Sequence, residues 1–92
     1  MLLAEVALGK LNELKYDQYM EKPPAGTHST KALGQYAPHH KDYKKIENDI
    51  VVPAAKIAST GIKSACSHNE FIIYDVAQIR VKYLLRLKFK HK

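Results

Sequence analysis

His68-Asn69-Glu70-Phe71-Ile72-Ile73-Tyr74-Asp75 places one acidic residue at the mouth of an apolar, β-branched and aromatic run. Such a run reads as a buried strand, and period-2 alternation puts Glu70, Ile72, Tyr74 and Val76 on one side and Phe71, Ile73 and Asp75 on the other. Glu70 then points the same way as packed side chains. A carboxylate at an apolar rim is expected to be partly desolvated, which raises its pKa and suits it to hydrogen-bond a hydroxyl or to manage a proton. On spacing alone, a solvated glutamate that simply ends a strand accounts for the pattern better.

Working outward, the closing segment carries the clearest pattern in the chain. Ile79, Val81, Tyr83, Leu85, Leu87 and Phe89 alternate with Arg80, Lys82, Leu84, Arg86, Lys88 and Lys90, so the spacing predicts a strand with a basic outer face. Asp75-Val76-Ala77-Gln78 separates it from the Glu70 strand by a turn-length break. At the other end, Leu2 to Leu8 alternates as a strand buried on one side and nearly buried on the other, and Gly9 stops it too early for a helix. Between these ends the signal is weaker. Asn12 to Met20 reads as a connection, with at most a helical turn, before Pro23-Pro24-Ala25-Gly26. Thr27 to Gly34 reads as a strand or extended loop, and Asn48-Asp49 as a hairpin turn between Ile46 and Ile50-Val51-Val52, ended by Pro53. Ala54 to Ser67 reads as a loop covering the Glu70 strand. The tally is four or five strands and hardly any helix: an α+β class, mainly antiparallel β.

Ninety-two residues with 46% hydrophobic and 26% charged side chains describe a small globular unit with little apolar surface to bury. The single cysteine, Cys66, cannot form an internal disulfide, which points away from a disulfide scaffold and toward a reducing compartment. Met1-Leu2-Leu3-Ala4 is interrupted by Glu5 and is not a leader pattern. No apolar stretch approaches the roughly 20 residues of a membrane-crossing helix, so no membrane partner is expected. The net charge of +6 favours anionic partners without naming one.

The chemistry-bearing residues give few constellations. His28, His39, His40, His68 and His91 lack metal-ligand spacing, and an adjacent pair such as His39-His40 would point opposite ways in a strand, so no metal is expected. Cys66, His68 and Glu70 at i, i+2, i+4 would share a strand face as nucleophile, base and orienter, but the local sequence is loop-like up to Asn69. Gly26 and Gly34 do not form a phosphate loop, and no cofactor-binding residues are identifiable. The basic row at 80–90 could follow a nucleic-acid backbone, although Tyr83 and Phe89, its candidate stacking partners, fall on the opposite face, and basic edges also prevent unwanted strand pairing.

Four ordered blocks carry a resemblance. Leu2-Leu3-Ala4-Glu5-Val6-Ala7-Leu8-Gly9, His28-Ser29-Thr30-Lys31-Ala32-Leu33-Gly34, Asn69-Glu70-Phe71-Ile72-Ile73-Tyr74-Asp75-Val76-Ala77-Gln78 and Lys82-Tyr83-Leu84-Leu85-Arg86-Leu87-Lys88-Phe89 together resemble the C-terminal part of the catalytic domain of the nuclear poly(ADP-ribose) polymerases. The resemblance implies an ADP-ribosyltransferase fold that holds NAD as substrate, with no metal, and makes Glu70 the catalytic glutamate. In that role Glu70 would hydrogen-bond the nicotinamide-ribose 2′-hydroxyl, stabilise the oxocarbenium-like state and help activate the acceptor hydroxyl. His68 and Asn69 would lie on the acceptor side.

The same resemblance implies acceptor proteins or a growing poly(ADP-ribose) chain as partners, a nuclear location with a part in DNA repair, and DNA contacts only through other domains. It also implies a partial domain over 1–92, because the family's NAD-clamping histidine and tyrosine lie upstream of the block that starts here at Leu2. Ala32 stands in place of a family glycine, His68 in place of a usual tyrosine, and the family's Leu-Trp tail is not among residues 1–92. The rival expectation is a non-catalytic basic β module that binds nucleic acid or poly(ADP-ribose).

Overall fold

The computed structural model describes residues 1–15, 19–46 and 49–90. Among them run ten strands: β1 (Leu2–Val6), β2 (Leu11–Leu14), β3 (Ser29–Ala32), β4 (Gly34–Pro38), β5 (Lys44–Ile46), β6 (Ile50–Val52), β7 (Ile57–Ser59), β8 (Cys66–His68), β9 (Glu70–Ile73) and β10 (Ile79–Leu84). They pair as β1-β10, β2-β3-β9, β7-β4-β8 and β5-β6. Single 3-10 turns lie at His40–Asp42 and Val76–Gln78. The parallel ladders are β2-β3 and β4-β8, and the other pairings are antiparallel, so the expected mainly antiparallel class holds.

Ten strands exceed the four or five expected, because β2, β4, β7 and β8 are three to five residues long. Strands that short show no periodicity; ladder partners, rather than side-chain pattern, define them. Ala54 to Ser67 is accordingly not a loop throughout: β7 lies within it and pairs with β4, and β8 begins at its end. Asn12 to Leu14, read as part of a connection, belongs to β2, a parallel partner of β3. The rest of that connection at 16–18, and Asn48 and His91, lie outside the described residues. The hairpin itself is present, with Ile46 opposite Ile50. Asp49 takes φ 60° there, a left-handed conformation that aspartate tolerates better than most side chains.

The most buried positions belong to β3, where Ser29 is 0%, Thr30 1% and Ala32 1% exposed, and to Cys66 on β8. Two of these are polar, and each is satisfied by a distant residue. Thr30 Oγ1 and Tyr74 OH are 2.8 Å apart, and Gln78 Nε2 donates to Ser29 Oγ at 3.0 Å. The same Gln78 amide donates to Ala7 O at 2.9 Å and so ties β3 to the end of β1.

The β1-β10 ribbon is held at both ends. Leu85 N donates to Met1 O at 2.7 Å, and Ala7 N to Gln78 O at 2.8 Å. Its register shifts between Leu3 and Ala4, which face Tyr83 and Val81, so Lys82 is the extra residue of a bulge. The strict alternation read from 79 to 90 therefore fails inside the strand, and the strand stops at Leu84. All of β10 is exposed, and Leu2 is 60% exposed. The near-complete burial expected of Leu2 to Leu8 is not met, since a two-stranded ribbon covers neither of its faces.

Candidate active site

The β3-β4 and β8-β9 strand pairs change sheets at the same place, and each does so through one residue. Leu33 alone separates β3 from β4, and Asn69 alone separates β8 from β9. Since β3 pairs with β9 and β4 with β8, the two crossovers lie against each other. Gly34 is what permits this. A Cβ on it would lie 2.3 Å from the His68 carbonyl carbon and 2.6 Å from Asn69 N, so only glycine fits a backbone approach this close.

Every backbone group at the Leu33-Gly34 step has a partner. Leu33 N donates to Leu14 O at 2.6 Å, and Leu33 O accepts from Ser64 Oγ at 2.5 Å. Gly34 N donates to Asn69 Oδ1 at 2.9 Å, and Gly34 O accepts from Thr60 Oγ1 at 2.7 Å. Ser64 Oγ also accepts from Cys66 N at 3.0 Å, and Gln35 Nε2 donates to Ser64 O at 2.7 Å. The segment before the glutamate is thus fastened to the crossover by its own hydroxyls. Thr60, Ser64 and Gly34 were not singled out in the sequence as site residues; the one local signal was a glycine directly after the short β3 run.

Glu70 opens β9, its backbone opposite the buried Ala32. Its side chain is exposed, so the partial desolvation expected at a strand rim is not met: as the first residue of the ladder it has the strand on one side only. His68 is exposed on β8, opposite Tyr36. Asn69, half-buried, lies between them. The structure brings His68, Asn69 and Glu70 together at the crossover but separates Cys66 from the other two, because Cys66 is buried, whereas His68 and Glu70 are exposed. Moreover Cys66 and His68 lie on a different sheet from Glu70, so the shared strand face fails. Downstream, Asp75 Oδ1 accepts from Ala77 N at 2.9 Å and caps the turn that leads to β10. An open cleft of about 460 Å³ lies between His28, Tyr74 and Gln78, and Glu70 does not line it.

The histidines are used locally. His28 Nδ1 accepts from Lys10 N at 3.0 Å. His39 and His40 stack with ring centroids 5.1 Å apart, not splayed as in a strand, because His39 caps a 3-10 turn through an Nδ1 that accepts from Lys41 N. Among the described residues no three His, Cys, Asp or Glu side chains gather as a metal site, and no helix is long and apolar enough to cross a membrane.

The sequence of this crossover and its flanking strands has known counterparts. The family model "Poly(ADP-ribose) polymerase catalytic domain" matches residues 1–89. The chain belongs to the poly(ADP-ribose) polymerase catalytic-domain family. It is 47% identical over its whole length to poly [ADP-ribose] polymerase 1 of Arabidopsis thaliana, covering 10% of that protein. Identity is 46% to the protein of the same name from Oryza sativa subsp. japonica, of which it covers 10%, and 46% to that from Gallus gallus, of which it covers 9%. The chain spans about a tenth of the length of these curated relatives. Within the family frame, the mixed but mainly antiparallel strands described here form part of a poly(ADP-ribose) polymerase catalytic domain.

Proposed function

We propose that residues 1–92 supply the carboxylate side of an NAD-dependent ADP-ribosyl transfer site, with Glu70 as the catalytic residue and His68 and Asn69 on its acceptor side. The observation that carries this reading is the placement of Glu70: backbone locked opposite a buried residue, carboxylate exposed. A rigidly based, accessible carboxylate suits a group that must meet charge as it develops. In the transfer, the bond between ribose C1′ and the nicotinamide nitrogen breaks, and nicotinamide leaves with the electron pair. Glu70 accepts a hydrogen bond from the ribose 2′-hydroxyl and offsets the positive charge on the oxocarbenium-like ring. The acceptor hydroxyl then bonds to C1′ and gives up its proton, with Glu70 helping to activate it.

NAD and an acceptor protein or poly(ADP-ribose) are the partners this reading requires, and the nucleus is the matching location. The family resemblance implies that the NAD-clamping histidine and tyrosine lie outside residues 1–92. The polyanion-binding alternative has less support. The bulge at Lys82 breaks the basic row, and Lys82 Nζ is engaged by Glu5 Oε2 at 3.3 Å.

The test exchanges residues 1–92 into the Arabidopsis relative, in place of the matched tenth of that protein. In this chimera Glu70→Gln keeps the side-chain size and removes the charge, and polymer formation from NAD is expected to fall about 100- to 1,000-fold. Near-parental turnover would sink the assignment.

A further inference from the structure

We infer that Asn69 is a positioning residue for Glu70, acting through the backbone amide of Gly34; the inference rests on the reading of Glu70 given above. Asn69 alone joins β8 to β9, strands of different sheets, so its backbone sets where β9 begins. Its side chain accepts a hydrogen bond from Gly34 N, through Oδ1 at 2.9 Å. Gly34 is buried, and its Cα side meets the His68-Asn69 peptide too closely for any side chain to intervene. The amide of Gly34 therefore pulls on Asn69 from a fixed point. That point is fixed because the neighbouring groups are already engaged: Leu33 by Leu14 and Ser64, and Gly34 O by Thr60.

A glutamate whose own carboxylate is exposed receives its placement from its backbone. The two constraints on that backbone are the ladder to Ala32 on one side and Asn69 on the other. Removing the Asn69 acceptor takes the side-chain partner from a buried N–H and frees the residue just before Glu70. Displacement of a reacting group by about 1 Å costs up to roughly a hundredfold in rate. The loss should appear in kcat and spare KM for NAD, since the interaction concerns only alignment at the reacting centre.

The experiment uses the same chimera with Asn69→Leu, Asn69→Ala and Asn69→Asp, with Glu70→Gln as the control. Asparagine to leucine keeps the bulk without the acceptor, while aspartate restores an acceptor for Gly34 N. The expected result is a fall in kcat of about ten- to a hundredfold for Asn69→Leu and Asn69→Ala, KM for NAD within about twofold, and recovery by Asn69→Asp to within about threefold of the parent. A fall smaller than about fivefold, an Asp variant as slow as Leu, or a loss carried by KM would each overturn the inference. So would failure of both the Leu and Ala variants to fold, which would make Asn69 a support of the fold rather than of Glu70. If Glu70→Gln is slow while Asn69→Leu is parental, only this inference fails; if Glu70→Gln is parental, the proposed function itself fails.

Discussion

Strand β3 and strand β10 have opposite fates. Ser29–Ala32 is short and largely polar, and three of its four residues are fully buried. Ile79–Leu84 is longer and more apolar, and none of its six residues is buried. The difference lies in neighbours. β3 has a ladder on each side and contributes hydroxyls that find Tyr74, just beyond β9, and Gln78, whereas β10 has β1 alone. Burial here follows the place of a strand in the topology, and hydrophobicity only decides what an exposed strand is suited to meet.

The strongest challenge to this contrast is the isolated chain. With Ala32 and Cys66 as its buried apolar residues and Leu2, Tyr83, Leu84 and Phe89 exposed among the described residues, residues 1–92 alone should lack a rigid core and should not bind NAD measurably. A proton NMR spectrum and calorimetric titration with NAD test this. Sharp, dispersed amide peaks from a monomer, or micromolar NAD affinity, would mean that the ribbon is adequately covered after all.

Next in size is Gly34→Ala in the chimera. The added Cβ meets backbone rather than a movable side chain, and the expected destabilisation is about 3 kcal/mol or more, seen as little soluble protein or a large drop in melting temperature. Normal melting would show the two crossovers to be less tightly apposed than described. Thr30→Val probes the polar core more gently: the shape is kept, Tyr74 OH loses its partner, and the cost should be about 1–3 kcal/mol. For a domain of this family's size this lowers the melting temperature by several degrees. A valine variant as stable as the parent would mean that the hydroxyl pair adds nothing to β3.

The smallest effect is expected on the ribbon. Lys82 and Glu5 are 40% and 36% exposed as side chains, and such a pair contributes about 0.5 kcal/mol or less. Lys82→Gln should therefore shift melting by no more than about 1 °C at physiological salt, and less at high salt. A larger shift would show the ribbon to be more deeply engaged than its exposure indicates.

These contrasts also explain what could be read in advance. The β9 and β10 runs, the turn at Asp75 and the Ile46-Ile50 hairpin carry strong local signals, and all are present. Glu70 stood out as a lone acid before an apolar run. Its setting was not legible, because the parts that fix it, Gly34, Ser64 and Thr60, are small or polar residues whose roles arise from contacts 25 to 35 positions apart. The bulge at Lys82 was equally hidden, since a register shift depends on the partner strand. Short strands such as β7 and β8 exist only once β4 is there to pair with them.

The pairing of Leu2 with Leu84, closed by Leu85 on Met1, sets a timetable for synthesis. Chains grow at about 5–20 residues per second, so β1 leaves the ribosome several seconds before its partner strand exists. Through that interval both edges of β1 are open, with Leu2 and Leu3 offered to whatever else is nearby. The early life of this segment is therefore a race between the arrival of β10 and capture by a foreign strand, and a pause in translation anywhere between β1 and β10 lengthens the odds against it.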